Sequence, residues 1–199
     1  LKKKYHLSIP ARFFFFFNPP LRHYDVWFHA CSLGETKSLD VLTSHLNSEY
    51  FCITTTTATG FKEGLKQTPH TRFLPFEIFL PFWVPQVRLC VVTETELWPL
   101  MLWSAKRKWA KTILINGRIS DRSVKKYNRF AFFYRFVFSL IDTVYAQSHK
   151  DAERLRYLGA KNIKIAGNMK AYATIKPTQT FIKPNKYLII AGSTHQGEE

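Results

Sequence analysis

The chain has 199 residues, of which 46% are hydrophobic and 16% aromatic, so a folded core is expected and a disordered chain is excluded. Lysine and arginine number 29 against 14 acidic residues, which gives a formal net charge of +15. Such a balance favours an anionic partner: a nucleic acid, a phospholipid surface or a phosphorylated substrate. No apolar run approaches the roughly 20 residues that span a bilayer. The chain begins with leucine and has no signal-peptide layout, so we expect that the start of the natural protein is missing.

The first 22 residues form a basic and aromatic lead-in that contains Lys2, Lys3 and Lys4 and the phenylalanine run 13–17. Two interpretations stay open for it. The phenylalanines pack on the following domain, or the segment contacts a membrane surface.

Short apolar runs alternate with helix-like segments from residue 23 onward. Strands are predicted at 24–30, 51–55, 71–74, 88–93, 112–115, 143–146 and 163–166. Helices are predicted at 35–46, 61–67, 99–109, 120–140 and 149–158. This alternation predicts an α/β domain over 23–170 with a doubly wound parallel sheet. Residues 171–186 have the composition of a linker, and a new strand at 187–191 predicts that a second α/β domain begins within 187–199.

Three cysteines, Cys31, Cys52 and Cys90, lie far apart and in or beside apolar runs. This spacing predicts buried free thiols and provides no zinc-binding or disulfide pattern. No common nucleotide-binding or nucleophile motif is present, and no pair of acids is placed to hold a divalent metal. His29 lies within an apolar strand, which favours a structural histidine.

The sequence Ser32-Leu33-Gly34-Glu35 follows the first strand and opens a helix. It fits a capping box, in which Ser32 and Glu35 stabilise the helix start. It also fits a catalytic base, because open α/β sheets bind ligands outside the carboxyl ends of their strands. The stretch alone leaves both interpretations open.

Other polar residues also follow the predicted strands. Glu94 and Glu96 are either an acidic pair in a cleft or a surface charge that caps the next helix. The threonine run 54–57 has high β-propensity. Arg118 and Lys170 are either site residues or ordinary solvated cations.

Eight motifs, in order, resemble the 3-deoxy-D-manno-octulosonic acid (Kdo) transferase family. They are Trp27-Phe28-His29-Ala30-Cys31-Ser32-Leu33-Gly34-Glu35, Thr54-Thr55-Thr56-Thr57-Ala58-Thr59-Gly60, Leu74-Pro75-Phe76, Glu94-Thr95-Glu96-Leu97-Trp98-Pro99, Ile115-Asn116-Gly117-Arg118-Ile119-Ser120, Ala146-Gln147-Ser148, Gly167-Asn168-Met169-Lys170 and Ala191-Gly192-Ser193-Thr194-His195-Gln196-Gly197-Glu198-Glu199.

This resemblance implies a two-domain glycosyltransferase of the GT-B type, with two Rossmann-like domains, the second truncated here. The enzyme would transfer Kdo from CMP-Kdo to the lipid A precursor lipid IVA, with inversion and without a metal or cofactor. The resemblance implies Glu35 as the proton acceptor, with Glu94 and Lys170 stabilising the transition state. Further substrate contacts are expected at Ser32, Gly34, Thr56, Glu96, Arg118, Ser193 and His195.

The lipid acceptor implied by this resemblance would also account for the positive net charge of the chain. Between Lys106 and Arg135 the chain has ten basic residues and one acid, interleaved with aromatics. We predict that this segment and residues 1–17 face an anionic bilayer, at the cytoplasmic face of the bacterial inner membrane. No nucleic acid and no obligate protein partner are expected.

Three positions depart from the family pattern: Ala58, Thr93 and Gly117. We expect none of them to touch the implied acid, base or lysine. We also expect this chain to be an incomplete and inactive piece of a longer enzyme. Two other functions remain as alternatives: another GT-B nucleotide-sugar enzyme, and a non-enzymatic module that binds anionic surfaces.

Overall fold

Seven strands, all parallel, form the centre of the structure, a computed structural model that describes residues 8–13, 18–19, 23–95 and 97–172. The strands are β1 (His23–His29), β2 (Phe51–Thr55), β3 (Thr71–Phe73), β4 (Gln86–Thr93), β5 (Lys111–Gly117), β6 (Thr143–Ala146) and β7 (Ile163–Ile165). Their order across the sheet is β3-β2-β1-β4-β5-β6-β7. The predicted α/β fold with a parallel, doubly wound sheet is confirmed.

Helices connect the strands. They are α1 (Ser8–Phe13), α2 (Leu33–Ser38), α3 (Asp40–Thr43), α4 (Ala58–Gln67), α5 (Leu80–Trp83), α6 (Pro99–Arg107), α7 (Asp121–Arg129), α8 (Ala131–Ser139) and α9 (His149–Tyr157). Two short 3-10 turns, Glu77–Phe79 and Met169–Tyr172, complete the described elements. Within the described ranges, no helix has both the length and the apolar character needed to cross a membrane.

Alternate residues of the central strands point to two different cores. Trp27 and Cys90 belong to a large cluster that includes buried residues of α5, α6, α8 and α9. Phe28 and Val91 belong to a smaller cluster on the other face, with Leu39 between α2 and α3. Burial on both faces explains why the strands have continuous apolar runs.

The helix predicted at 35–46 is divided at Leu39 into α2 and α3, and it ends at Thr43. Side-chain hydroxyls lie close to helical carbonyls there. Ser38 donates to the carbonyl of Glu35 at 2.7 Å. The Thr43 hydroxyl lies 3.2 Å from the carbonyl oxygen of Leu39 and 2.7 Å from Oε1 of Gln67. Such back-bonding weakens and bends helices.

Two other predicted helix boundaries were wrong. Residues 58–60, predicted as a turn, form the start of α4, because the Thr57 hydroxyl accepts the Gly60 N–H at 3.2 Å and caps the helix. The long helix predicted at 120–140 is interrupted at Phe130 (φ −110°, ψ 30°). The interruption separates α7, which buries no residue, from α8, whose Val137 and Phe138 reach the core.

The described part of the lead-in packs on the domain. Arg12 is buried and donates from Nε to the carbonyl of Leu74 at 2.8 Å. The rings of Phe13 and Phe76 lie 4.4 Å apart, and the Asn18 amide donates to the carbonyl of Phe73 at 2.7 Å. Residues 8–13 and 18 therefore contact the domain, although Phe13 is 49% exposed, and the run 14–17 lies outside the described residues.

All three cysteines are buried and none of them forms a disulfide, as predicted. Burial raises the pKa of the Cys90 thiol to about 12 and raises that of Cys52 as well. Both thiols therefore remain protonated and act as small apolar side chains.

Candidate active site

The carboxyl ends of β1 and β4 meet at the centre of the sheet. These two strands are neighbours, with His29 of β1 aligned with Val92 of β4. The chain moves from β1 outward to β2 and from β4 outward to β5, so this is the point where the strand order reverses. Open α/β sheets bind ligands at such a switch point. Glu35 follows β1 there, and Glu94 follows β4.

The Glu35 carboxylate is held by its own helix start. Ser32 is the N-cap of α2: its hydroxyl oxygen accepts the Glu35 N–H at 3.4 Å and donates to Oε1 of Glu35 at 2.5 Å. The Cys31 N–H donates to Oε2 at 2.9 Å. The capping interpretation is therefore confirmed, with the carboxylate reaching the N–H one residue before the cap. Only 6% of Glu35 is exposed.

A third donor comes from the neighbouring strand. The Thr93 hydroxyl lies 3.0 Å from Oε2 of Glu35. The expectation that Thr93 leaves the implied catalytic residues untouched was therefore wrong. The physical reason is the sheet register, which places the last residue of β4 beside the loop that follows β1.

The threonine run does more than form a strand. The hydroxyls of Thr55, Thr56 and Thr57 all lie within 3.4 Å of the carbonyl oxygen of Cys31, with Thr56 nearest at 2.9 Å. These contacts hold the carbonyl group of Cys31, the residue whose N–H donates to Glu35. Thr56, predicted to touch substrate, is buried in this arrangement.

His29 forms part of the wall behind Glu35. Its side chain is fully buried, with Nδ1 2.9 Å from the Thr54 hydroxyl and Nε2 3.3 Å from the sulfur of Cys31. Burial lowers the pKa of His29 to about 3, so the ring is neutral near neutral pH. These contacts agree with the structural role predicted for it.

Glu94 forms an ion pair at the same edge of the sheet. Its Oε1 lies 2.6 Å from Nζ of Lys170 and 3.5 Å from the amide nitrogen of Asn116. The Asn116 side chain accepts the Met169 N–H at 3.1 Å, which anchors the turn that carries Lys170. Glu94 and Asn116 both have φ 55°, in the left-handed region. Two strand ends and the turn after β7 thus converge on one carboxylate.

A polar pocket of about 290 Å³ adjoins Glu94. Arg118, Ser120 before α7 and, within α7, Ser123 and Tyr127 line it. Arg118 is exposed there, and its carbonyl accepts the Thr95 hydroxyl at 3.0 Å. The pocket can admit a charged group beside the Glu94–Lys170 pair.

The described residues contain no group of three or more His, Cys, Asp or Glu side chains placed to hold a metal ion. The arrangement can instead take up a proton at Glu35. Its two charged side chains, Glu94 and Lys170, can interact with ionic parts of a ligand.

A family model described as 3-deoxy-D-manno-octulosonic-acid transferase (kdotransferase) matches residues 8–173, most of the chain. The chain belongs to the Kdo transferase family.

Curated relatives agree with this family. A Kdo transferase of Haemophilus influenzae is 28% identical over 223 residues, covering 98% of this chain and 51% of its own length. A Kdo transferase of Chlamydophila psittaci is 30% identical, covering 73% of this chain and 37% of its own length. A bifunctional glycosyltransferase/methyltransferase of Fusobacterium nucleatum is 28% identical, covering 87% of this chain and 31% of its own length. The chain thus spans about half or less of these relatives.

The residues implied by the Kdo transferase resemblance have different placements. Ser32 contacts Glu35, Glu94 pairs with Lys170, and Arg118 opens onto the adjoining pocket. Gly34 is exposed, and a Cβ placed there would meet no atom within 4 Å. The remaining three predicted contacts, Glu96, Ser193 and His195, lie outside the described residues.

Two contributing residues were missed as members of the site. Asn116 was named only as part of a family motif, and Thr93 only as a departure from the family pattern. Local sequence could not identify either contact, because each depends on side-by-side alignment of strands that are distant in the chain.

Proposed function

We propose that this chain supplies the acceptor side of an inverting glycosyltransferase that transfers Kdo from CMP-Kdo to lipid IVA. Membership of the Kdo transferase family supports a sugar-nucleotide donor and a lipid acceptor. The observation that carries the proposal is the environment of the Glu35 carboxylate. Its carboxylate is buried at the switch point and is held by neutral donors, and among the described residues no cation pairs with it.

Glu35 is the proposed general base. A glucosamine hydroxyl of the acceptor gives its proton to Glu35, and its oxygen forms a bond to the anomeric carbon of Kdo. The bond between that carbon and the phosphate oxygen of CMP breaks, and CMP leaves from the opposite face with the electron pair. The configuration at the anomeric carbon is thereby inverted, through a transition state with oxocarbenium character.

Glu94 and Lys170 have complementary parts in this proposal. The Glu94 carboxylate stabilises positive charge on the sugar as the leaving group departs. Lys170, whose side chain is 46% exposed, can exchange part of its contact with Glu94 for a carboxylate or phosphate of the substrates. No metal ion is included in the scheme.

The test is a transfer assay on the whole natural protein, with everything that flanks residues 1–199 included. Radiolabelled CMP-Kdo and lipid IVA should give a labelled Kdo-lipid product. Glu35→Gln should lower the rate of product formation by about 100- to 10,000-fold while CMP-Kdo binding is retained. Glu63→Gln, which changes a carboxylate paired with Lys66 on α4, serves as the matched control and should leave turnover unchanged. Full turnover by Glu35→Gln would exclude Glu35 as the base.

A surface on α7 and α8 that exposes aromatic and basic side chains supports the proposal of a lipid acceptor. Four phenylalanines of this α7–α8 surface are 41% to 78% exposed: Phe130, Phe132, Phe133 and Phe136. Five exposed basic residues accompany them: Arg122, Lys125, Lys126, Arg129 and Arg135. Exposed aromatic and basic side chains together suit the interface of an anionic bilayer. We propose that this surface contacts the cytoplasmic face of the inner membrane.

Vesicle sedimentation tests this placement. Binding to vesicles rich in phosphatidylglycerol should exceed binding to phosphatidylcholine vesicles and should weaken with added salt. The double variant Phe132→Ser and Phe136→Ser should reduce vesicle binding several-fold, because each phenylalanine that enters the bilayer buries apolar area there. Phe82→Ser, at a phenylalanine that is 83% exposed on α5, is the matched control. Equal binding by the double variant and the control would remove the α7–α8 surface as the membrane contact.

A further inference from the structure

The Thr93 hydroxyl has two possible acceptors. It lies 3.0 Å from Oε2 of Glu35 and 3.1 Å from the carbonyl oxygen of His29. A hydroxyl carries one proton, so it can donate fully to only one of them. An ionised carboxylate is the stronger acceptor, because charge-assisted hydrogen bonds are about twice as strong as neutral ones. Only 1% of Thr93 is exposed, so water does not compete for the contact.

The two carboxylate oxygens of Glu35 differ in the donors that they receive. A carboxylate oxygen offers about two lone-pair directions. Oε2 receives the Cys31 N–H at 2.9 Å and the Thr93 hydroxyl at 3.0 Å, which occupies both directions. Oε1 receives the Ser32 hydroxyl at 2.5 Å and, from the described residues, no second donor. One lone-pair direction therefore remains, and it is on Oε1.

We infer that Thr93 is a positioning residue that selects Oε1 of Glu35 as the oxygen that takes the proton. This inference rests on the proposed role of Glu35 as the base. In the transfer step, the O–H bond of the acceptor breaks and its proton bonds to the remaining lone pair of Oε1. The electron pair of that bond stays on the acceptor oxygen, which attacks the sugar as CMP departs. Thr93 keeps Oε2 engaged and prevents the carboxylate from rotating its free lone pair away from the acceptor.

A purely structural reason for a threonine at this position makes a different prediction. Threonine and valine have nearly the same shape and similar preference for strands, so Thr93→Val preserves packing and removes only the donor. Thr93→Ser keeps the donor and removes a methyl group. If Thr93 only stabilises the strand, Thr93→Val should stay closer to the wild-type kcat than Thr93→Ser. If it positions Glu35, Thr93→Ser should stay closer than Thr93→Val.

The experiment measures kcat and KM for Kdo transfer in the whole natural protein. Thr93→Val should lower kcat about tenfold, the effect of losing one hydrogen bond to a charged group, with KM unchanged. Thr93→Ser should stay within about twofold of the wild type. Thr71→Val is the control, since Thr71 is a fully buried threonine of β3 whose hydroxyl donates to the carbonyl of Thr68. Wild-type kcat in Thr93→Val would overturn the inference.

A second readout does not require turnover. With ¹³C-labelled glutamate, NMR should show the carboxyl chemical shift of Glu35 changing in Thr93→Val and returning in Thr93→Ser, because the hydrogen bond to Oε2 is lost in the first variant and kept in the second. The neighbouring His29 does not titrate in the neutral range, since its pKa is about 3. The other charged groups at this edge, Glu94 and Lys170, are unchanged in these variants.

The outcomes separate the two proposals. Transfer by the wild type, with both kcat and the Glu35 carboxyl chemical shift unchanged in Thr93→Val, overturns the inference alone. Absence of transfer by the wild type overturns the proposed function and the inference with it. A lowered kcat and a changed Glu35 carboxyl chemical shift in Thr93→Val, with both values restored in Thr93→Ser, support both proposals.

Discussion

Two glutamates at the same sheet edge are held in opposite ways. Glu35 is 6% exposed and receives hydrogen bonds from neutral donors: one backbone N–H and two hydroxyls. Glu94 has a 29% exposed side chain and is paired with the cationic Lys170. One carboxylate is oriented without being neutralised, and the other is neutralised by a flexible partner.

The difference indicates a division of labour. A base must keep a free lone pair and a fixed direction, and neutral donors from rigid backbone and buried hydroxyls provide both. Glu94 is proposed to interact with charge on the substrate, so it benefits from an ion-pair partner that can move away. Lysine carries its charge on a flexible four-carbon side chain, so Lys170 can do this. The structural contrast therefore supports different roles for two residues of the same type.

The largest expected effect concerns catalysis. Glu35→Gln should lower kcat by about 100- to 10,000-fold, the usual contribution of a general base. Glu94→Gln should lower it by no more than about tenfold, because exposure and pairing weaken the field of that carboxylate. Parallel kcat measurements on the whole natural protein check this ratio. Equal losses in the two variants would contradict the division of labour.

The next effect concerns stability. Glu35→Ala should lower the free energy of unfolding by about 3 kcal/mol, since it leaves the Cys31 N–H and the hydroxyls of Ser32 and Thr93 without their acceptor. Glu94→Ala should cost less than about 1 kcal/mol, as expected for a partly exposed ion pair. Urea unfolding followed by circular dichroism measures both. The comparison would fail if Glu94→Ala were the more destabilising change.

The third effect is acid lability of the wall behind Glu35. The pKa of His29 is about 3 in the folded chain, because burial opposes the charged form, against about 6.5 when unfolded. Between these values the unfolded state binds more protons, so stability decreases as pH falls from about 6.5 towards 3. This one group contributes a slope of up to about 1.4 kcal/mol per pH unit.

Unfolding curves at several pH values test the slope. His29→Gln should remove it, whereas His45→Gln, at an exposed histidine after α3, should leave it unchanged. A slope that persists in His29→Gln would assign the acid lability to other groups.

Sequence patterns predicted the strands better than the contacts between them. The strand at 51–55 and the strand at 143–146 were predicted at their observed bounds, because buried parallel strands are continuous apolar runs. Helix ends were less predictable, since hydroxyl groups such as those of Ser38 and Thr57 decide where helices bend or begin.

The site was predicted in part. The Ser32–Glu35 capping contact follows from spacing along the chain, and the structure contains it. The contact of Thr93 with Glu35 and that of Lys170 with Glu94 join residues 58 and 76 positions apart. Motif recognition named both Glu94 and Lys170 but not the contact between them, and it treated Thr93 only as a departure from the family pattern, because neither contact is encoded in a local pattern.

The smallest expected effect is a coupling energy, and it measures most directly how differently Glu35 and Glu94 are held. A double-mutant cycle with Glu94→Gln and Lys170→Met should give a coupling energy below about 1 kcal/mol, and added salt should reduce it, because both side chains are partly exposed. A second cycle, with Glu35→Ala and Thr93→Val, should give a coupling that does not change with salt, because that hydrogen bond is buried and its donor is neutral. Urea unfolding at low and high salt measures both. A difference in the size of the two coupling energies would not be enough. A coupling energy that depends on salt for Glu94 and not for Glu35 would show that Glu94 is held by an opposite charge and Glu35 by neutral donors.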